Sequence, residues 1–214
     1  MPVTVEWLGH ACFRVTAADG KRVLIDPYDD SIGYRIPDYS CDVLLISHEH
    51  FDHAAEQFVP TEHTTIREEG RHKAEGLIIE AKAFPHDEAG GEKRGMTLAF
   101  KFDIDGVTFA HLGDLGEVPS QTEMGFFTGA KCLMIPVGGY YTINAVQATE
   151  IVNAIKPPYV FPMHYKTRVL TLPISNVEDF LKDKSDINRV SGPRFVIDPG
   201  KIPTRVTIVV LDFM

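Results

Sequence analysis

Leu44-Leu45-Ile46-Ser47-His48-Glu49-His50-Phe51-Asp52-His53 sets three imidazoles and the Asp52 carboxylate, beside Glu49, into six consecutive residues behind an apolar run. Residues 42–46 are continuously apolar after Asp42, which predicts a strand buried on both faces. His48 and His50 stand two apart, so extended backbone points both the same way and lets them clamp one ion. Asp52 and His53 belong to the following turn and face a second position. Imidazole nitrogen and carboxylate oxygen are ligands that zinc prefers, at about 2.0–2.2 Å. The bland alternative is three surface histidines brought together by chance, which the density of donors behind a buried strand disfavours.

Working outward, residues 3–8, 12–16 and 22–25 read as strands, divided by Gly9-His10 and by a turn at Ala18-Asp19-Gly20. Residues 52–58 are expected to open a short helix. Strands follow at 77–83, 96–104 and 107–110, the last two joined by Asp105-Gly106, a strong hairpin signal. A buried strand is expected at 131–136. Residues 145–156 carry apolar side chains at 148, 151, 152 and 155, the spacing of an amphipathic helix. The remainder reads as a strand at 159–162, a helix at 177–184, and closing strands at 194–197 and 205–211. Strands dominate early and strand–helix alternation late, which fits two packed sheets with helices outside better than one doubly wound sheet.

The chain has 214 residues, 44% of them hydrophobic and 24% charged, ordinary values for a globular protein. That length fits one domain over 1–214, with two small ones as the alternative. No apolar stretch reaches the eighteen or so residues a membrane-spanning helix needs, so no membrane partner is expected. The N-terminal residues read at once as an alternating strand, without the basic and apolar regions of a secretory signal. Cys12, Cys41 and Cys132 are odd in number and share no metal-type spacing, so they read as buried reduced thiols in a cytoplasmic protein. The net charge of −9, from 21 basic and 30 acidic residues, argues against extended nucleic acid as a partner. A small-molecule substrate, even an anionic one, is compatible, because bound metal ions dominate the field of a site.

His-x-His-x-Asp-His after a hydrophobic strand resembles the signature of the metallo-β-lactamase superfamily, which implies an α/β fold, a four-layer αβ/βα sandwich. Further landmarks resemble its compact branch of metal-dependent hydrolases related to ascorbate-6-phosphate lactonase. They are Trp7-Leu8-Gly9-His10-Ala11 with Ile25-Asp26-Pro27, His86-Asp87 with Arg94-Gly95, His111-Leu112-Gly113-Asp114, Pro136-Val137-Gly138-Gly139 and Pro162-Met163-His164-Tyr165. The resemblance implies His48, His50 and His86 on one ion, Asp52, His53 and His164 on a second, and Asp114 between them. His111 competes with His86 for the first site, being three residues from Asp114; if His86 ligates, His111 steadies a ligand instead. Asp26 matches an aspartate that orients a ligand histidine, against the reading of a plain strand-end turn before Pro27. His10 is expected to face the same cleft, while His63 and His72 match no motif and are expected at the surface.

Two divalent ions about 3.5–4 Å apart hold a water and lower its pKa towards neutrality, so a hydroxide can attack a carbonyl or phosphorus. Asp52 or His164 would carry the proton. Arg94, in a glycine-rich loop, could hold a carboxylate or phosphate by its planar fork, unless that loop is merely solvated. Zinc is the first choice of metal, with manganese or iron as alternatives. Substrates suited to such a centre are small esters, lactones or phosphodiesters. The rivals are an iron-dependent oxidoreductase of the persulfide dioxygenase kind and a non-enzymatic metal-binding module. The related flavodiiron enzymes put glutamate where this chain has His50.

Overall fold

Branched and aromatic residues alternate through most of the chain, and a computed structural model of residues 1–213 arranges them as two sheets face to face. The six-stranded sheet runs in the order β13 (Arg194–Ile197), β1 (Val3–Gly9), β2 (Cys12–Thr16), β3 (Arg22–Ile25), β4 (Val43–Leu45), β5 (Thr64–Ile66). The eight-stranded sheet runs β12 (Ile187–Val190), β14 (Thr207–Leu211), β11 (Tyr159–Met163), β10 (Cys132–Pro136), β9 (Val107–His111), β8 (Met96–Ile104), β7 (Leu77–Pro85), β6 (Gly70–Ala74). Strands β6 to β9 form an antiparallel meander, whereas β9, β10, β11, β14 and β12 pair in parallel.

The double burial expected for residues 42–46 is present. Val43 and Leu45 face the core between the sheets, together with Val23 and Ile25. Leu44 and Ile46 face the opposite side, against Tyr28, Ile32, Tyr39 and Leu170. That outer layer is built of loops instead of the expected helices. The β8–β9 hairpin turns at Asp105 and Gly106, with φ of 51° and 79°, the doubly left-handed pair that a tight turn between twisted strands needs. Helix α1 (Ala145–Ile155) crosses between parallel β10 and β11 and buries Ala148, Ile151 and Val152. Asn144 starts it, its side chain accepting from the amides of Val146 and Gln147.

Two expected helices are corrected. Residues 52–58 turn on the carbonyl of His50, which accepts from the amides of His53 and Ala54, and only Glu56–Phe58 forms a short 3₁₀ turn. The turn closing on His50 lets the buried side chains of Asp52 and His53 reach one group of ligand-type atoms. The helix expected at 177–184 contracts to Glu178–Leu181, because Lys182 is extended and Asp183 is left-handed. Three strands escaped the pattern, β5, β6 and β12, and all three are sheet edges. Among the described residues, no helix is long and apolar enough to cross a membrane. Cys12, Cys41 and Cys132 are buried and unbridged.

Candidate metal centre

His10, Asp26, His86, Asp114 and His164 each follow the carboxyl end of a strand, namely β1, β3, β7, β9 and β11, and the run from His48 to His53 follows β4. The sheets thus deliver them to one end of the sandwich, three strands from each sheet. His10, Asp26 and His164 have φ of 52°, 50° and 50°, a left-handed conformation uncommon for residues with side chains and concentrated at functional sites. Two close backbone approaches hold the arrangement. A side chain on Gly138 would meet the His164 carbonyl oxygen at 2.2 Å, and one on Gly116 would meet the Asp87 amide nitrogen at 2.1 Å.

The ligand-type atoms fall into overlapping groups. His48 Nε2 lies 2.9 Å from His50 Nδ1, which lies 3.3 Å from His86 Nε2. Tetrahedral nitrogens about 2.0–2.1 Å from a zinc ion stand about 3.3 Å apart, so the triad is close to that spacing. A second group joins His10, Asp52, His53 and His164. Asp114 Oδ2 stands between the groups, 3.2 Å from His53 Nε2, 3.3 Å from His164 Nε2, 3.6 Å from His86 Nε2 and 3.9 Å from His48 Nε2. Among the described residues, His53 Nε2, Asp114 Oδ1 and the Nδ1 atoms of His10, His86 and His164 are buried without a hydrogen-bond partner. The orphaned His53 Nε2, 3.2 Å from Asp114 Oδ2, faces the centre, and a cation between such donors would satisfy it.

Asp26 governs the orientation of two rings. Its carboxylate accepts from the Ser47 amide and hydroxyl at 2.7 Å each and meets His53 Nδ1 at 3.0 Å. Because the Ser47 hydroxyl donates to Asp26, it accepts from His48 Nδ1 at 2.9 Å. Both Nε2 atoms are thereby left facing the centre. His111 is occupied elsewhere. Its Nε2 donates to the Ala11 carbonyl at 2.9 Å and its Nδ1 accepts from the Gly113 amide at 3.1 Å. His86, and not His111, is therefore the residue grouped with His48 and His50. His10, expected only to face the cleft, contacts Asp52 Oδ2 through Nε2 at 3.1 Å, with its ring 4.2 Å from that of His164. His63 and His72 are half-buried instead of exposed, each bonded to a backbone carbonyl.

Without an ion, the charges lean on one another. Burial and the neighbouring His164 push the His10 pKa down to about 4. Burial and His53 push His48 down to about 3. Burial opposes charging His53, yet Asp114 and Asp52 hold its pKa well above the usual value. Burial likewise opposes ionising Asp114, and His164 and His53 overcome it, keeping the carboxylate charged. A cation would take over the stabilising role that the proton on His53 plays here.

The centre opens into a cavity of about 270 Å³, floored by His50, Asp52, His86, Asp114 and His164 and walled by Phe51, Arg94, Tyr141 and Leu172. A larger depression of about 470 Å³, beside Trp7, Tyr165 and Arg189, contains none of the clustered ligand-type residues.

Residues 4–164 match the family model described as a beta-lactamase superfamily domain, and the chain belongs to that family. A solved structure from Thermotoga maritima, a proposed zinc-dependent hydrolase of the metallo-beta-lactamase superfamily, is 30% identical with a TM-score of 0.82. That match covers 99% of this chain and 100% of the other. The fold is accordingly the α/β metallo-β-lactamase sandwich. A UPF0173 metal-dependent hydrolase of Thermoplasma volcanium is 28% identical over 193 residues, 78% of this chain and 85% of its own length. CmlA, a diiron β-hydroxylase from Streptomyces venezuelae, shares the fold at 16% identity and a TM-score of 0.55, over 76% of this chain and 44% of its own.

Proposed function

We propose that this protein is a binuclear metal-dependent hydrolase of a small ester, lactone or phosphodiester. The observation carrying the proposal is Asp114 Oδ2, placed within 3.2 to 3.9 Å of ring nitrogens from both groups. His48, His50 and His86 would hold one cation, Asp52, His53 and His164 the other, and Asp114 both. Zinc suits a nitrogen-rich set of this kind, with manganese or iron as the alternatives. When bound, two such cations supply a water of lowered pKa and polarise the oxygen of the scissile group.

The chain's own residues prepare that chemistry. Asp26 fixes the rings of His48 and His53, so their donor atoms need no reorganisation. Asp52 and His164 both line the cavity and can receive a proton there. Asp52 is backed by His10 at Oδ2, which holds its carboxylate in place in the cavity. Phe51, Tyr141 and Leu172 keep the walls largely apolar, which strengthens electrostatic interactions on the floor. Ligand-type residues come from both sheets, which supports treating residues 1–214 as one functional unit.

The test is metal stoichiometry by elemental mass spectrometry, combined with metal-dependent turnover of 4-nitrophenyl acetate and bis(4-nitrophenyl) phosphate. About two equivalents of zinc or manganese, lowered in His86→Ala and Asp114→Ala, with turnover abolished by chelation, is the expected result. Protein that takes up no metal on reconstitution would overturn the enzyme reading. Redox-active iron with no hydrolysis would replace it with oxygen chemistry.

A further inference from the structure

Arg94 is the one arginine or lysine lining the cavity above the ligand cluster. Its guanidinium carbon lies 5.4 Å from the centre of the Tyr141 ring, which holds the flat group against a wall. Arg14, Arg22, Arg67, Arg189 and Arg194 each contact a carboxylate. Arg94 contacts none among the described residues, and unlike the equally unpaired Arg35, Arg71, Arg168 and Arg205 it lines this cavity, so its fork of donors is left for something else.

The loop that carries it is organised, not merely solvated. Asp87, next to His86, accepts from the amides of Ala89, Gly91, Lys93 and Arg94 at 2.8, 3.0, 2.9 and 2.7 Å. The His86 amide donates to the Gly95 carbonyl at 3.0 Å, closing the loop beside the ligand-type histidine. Arg94 is thus set at a fixed place relative to the centre, the arrangement that reads a substrate group with little entropy lost on binding.

We propose that Arg94 anchors a carboxylate on the substrate, so the preferred substrates are small esters or lactones with a free carboxylate remote from the scissile bond. The bond to be broken rests on the hydrolase reading; the anion subsite does not. A single planar fork matches a carboxylate in charge and geometry. A phosphate monoester is close to a dianion at neutral pH and would call for a second basic side chain beside Arg94, which the described lining of this cavity lacks. A cavity of about 270 Å³ limits the rest of the molecule to a short chain or small ring.

The test is calorimetric titration of the metal-loaded protein with acetate, glutarate and 3-phosphonopropionate, on the wild type, Arg94→Met and Arg94→Lys. Acetate can reach only the metal pair, whereas glutarate can reach the arginine as well. Glutarate should bind the wild type about tenfold or more tighter than acetate. Arg94→Met, which keeps a stem against Tyr141, should remove that advantage, and Arg94→Lys should restore part of it. Equal glutarate affinity in the wild type and Arg94→Met, or glutarate no tighter than acetate, overturns the anchor. An equal loss for acetate with a lowered melting temperature also counts against it, marking a collapsed loop. A 3-phosphonopropionate affinity above that of glutarate, lost in Arg94→Met while glutarate affinity is kept, overturns the choice of carboxylate. Absence of ester turnover would defeat the hydrolase reading while leaving these binding results intact.

Discussion

Asp26 Oδ2 and His53 Nδ1 meet at 3.0 Å with both side chains fully buried, and the contact turns the other ring nitrogen of His53 towards Asp114. Asp26→Asn should keep the shape while removing the acceptor strength that holds the ring. Metal affinity should fall about 10- to 100-fold, as it does when a partner of a ligand histidine is lost. Competition with a chromophoric chelator measures this, and an unchanged affinity would remove Asp26 from the centre.

His86 and His111 should respond in opposite ways to substitution. His86→Ala should lower metal content with little loss of stability. His111→Leu should retain the metal, yet strand the Ala11 carbonyl and the Gly113 amide in the interior. Each buried group left unpaired costs about 1–3 kcal/mol, which thermal denaturation would register. Metal lost from the His111 variant and kept by the other would reverse the assignment.

Glu6 lies across the sheet from Arg14 and Arg194 and contacts both guanidinium groups, at 2.8 and 2.6 Å. Arg194 is largely exposed, so the buried Arg14 pair dominates. Glu6→Gln should destabilise by about 2–3 kcal/mol at neutral pH. Burial opposes ionising Glu6, but Arg14 and Arg194 hold its pKa below the ordinary value. A carboxylate lowered in the folded state stabilises above its unfolded pKa of about 4.3 and loses that contribution as pH falls through the folded value. The gap in melting temperature between wild type and variant should therefore shrink below about pH 4. A constant gap would show that the ion pair is not its source.

Free zinc at 100 times the dissociation constant of one site should stabilise the chain by about 2.7 kcal/mol. At this chain length that raises the melting temperature by roughly 5–10 °C. Calorimetry before and after chelation reads the shift, and an unchanged melting temperature would mean that the folded chain holds no metal.

Burial pushes the Cys41 thiol up to about 12 and raises those of Cys12 and Cys132 further. The folded protein should therefore resist a thiol reagent at pH 8, releasing three equivalents only in denaturant. Fast labelling of the native chain would place at least one thiol at the surface.

The central strands and the run from His48 to His53 were legible because local pattern and tertiary demand agree. Residues 42–46 are apolar on both faces because both faces are covered, and a period of two is readable wherever one side meets the core. The edge strands lack that signature. Arg71, His72 and Lys73 of β6 are polar because an unpaired edge must discourage further pairing. The turn after His50 defeated the helix reading, since its form is dictated by where Asp52 and His53 must point. His10 was readable only as a neighbour of the cleft. Its left-handed backbone and its contact with Asp52, 42 residues away, are products of the closed sandwich.

The strand ends that assemble this centre belong to both sheets, His10, Asp26 and His48 to His53 to one, His86, Asp114 and His164 to the other. On the proposed binuclear reading neither half could recruit its cations alone, so their capture would wait until the sheets have docked. Once captured, such ions would act as rivets at the open end of the sandwich. Metal uptake would then report that the two halves have met, while the cavity over His50 and Asp114 leaves a chelator a direct path to the ions.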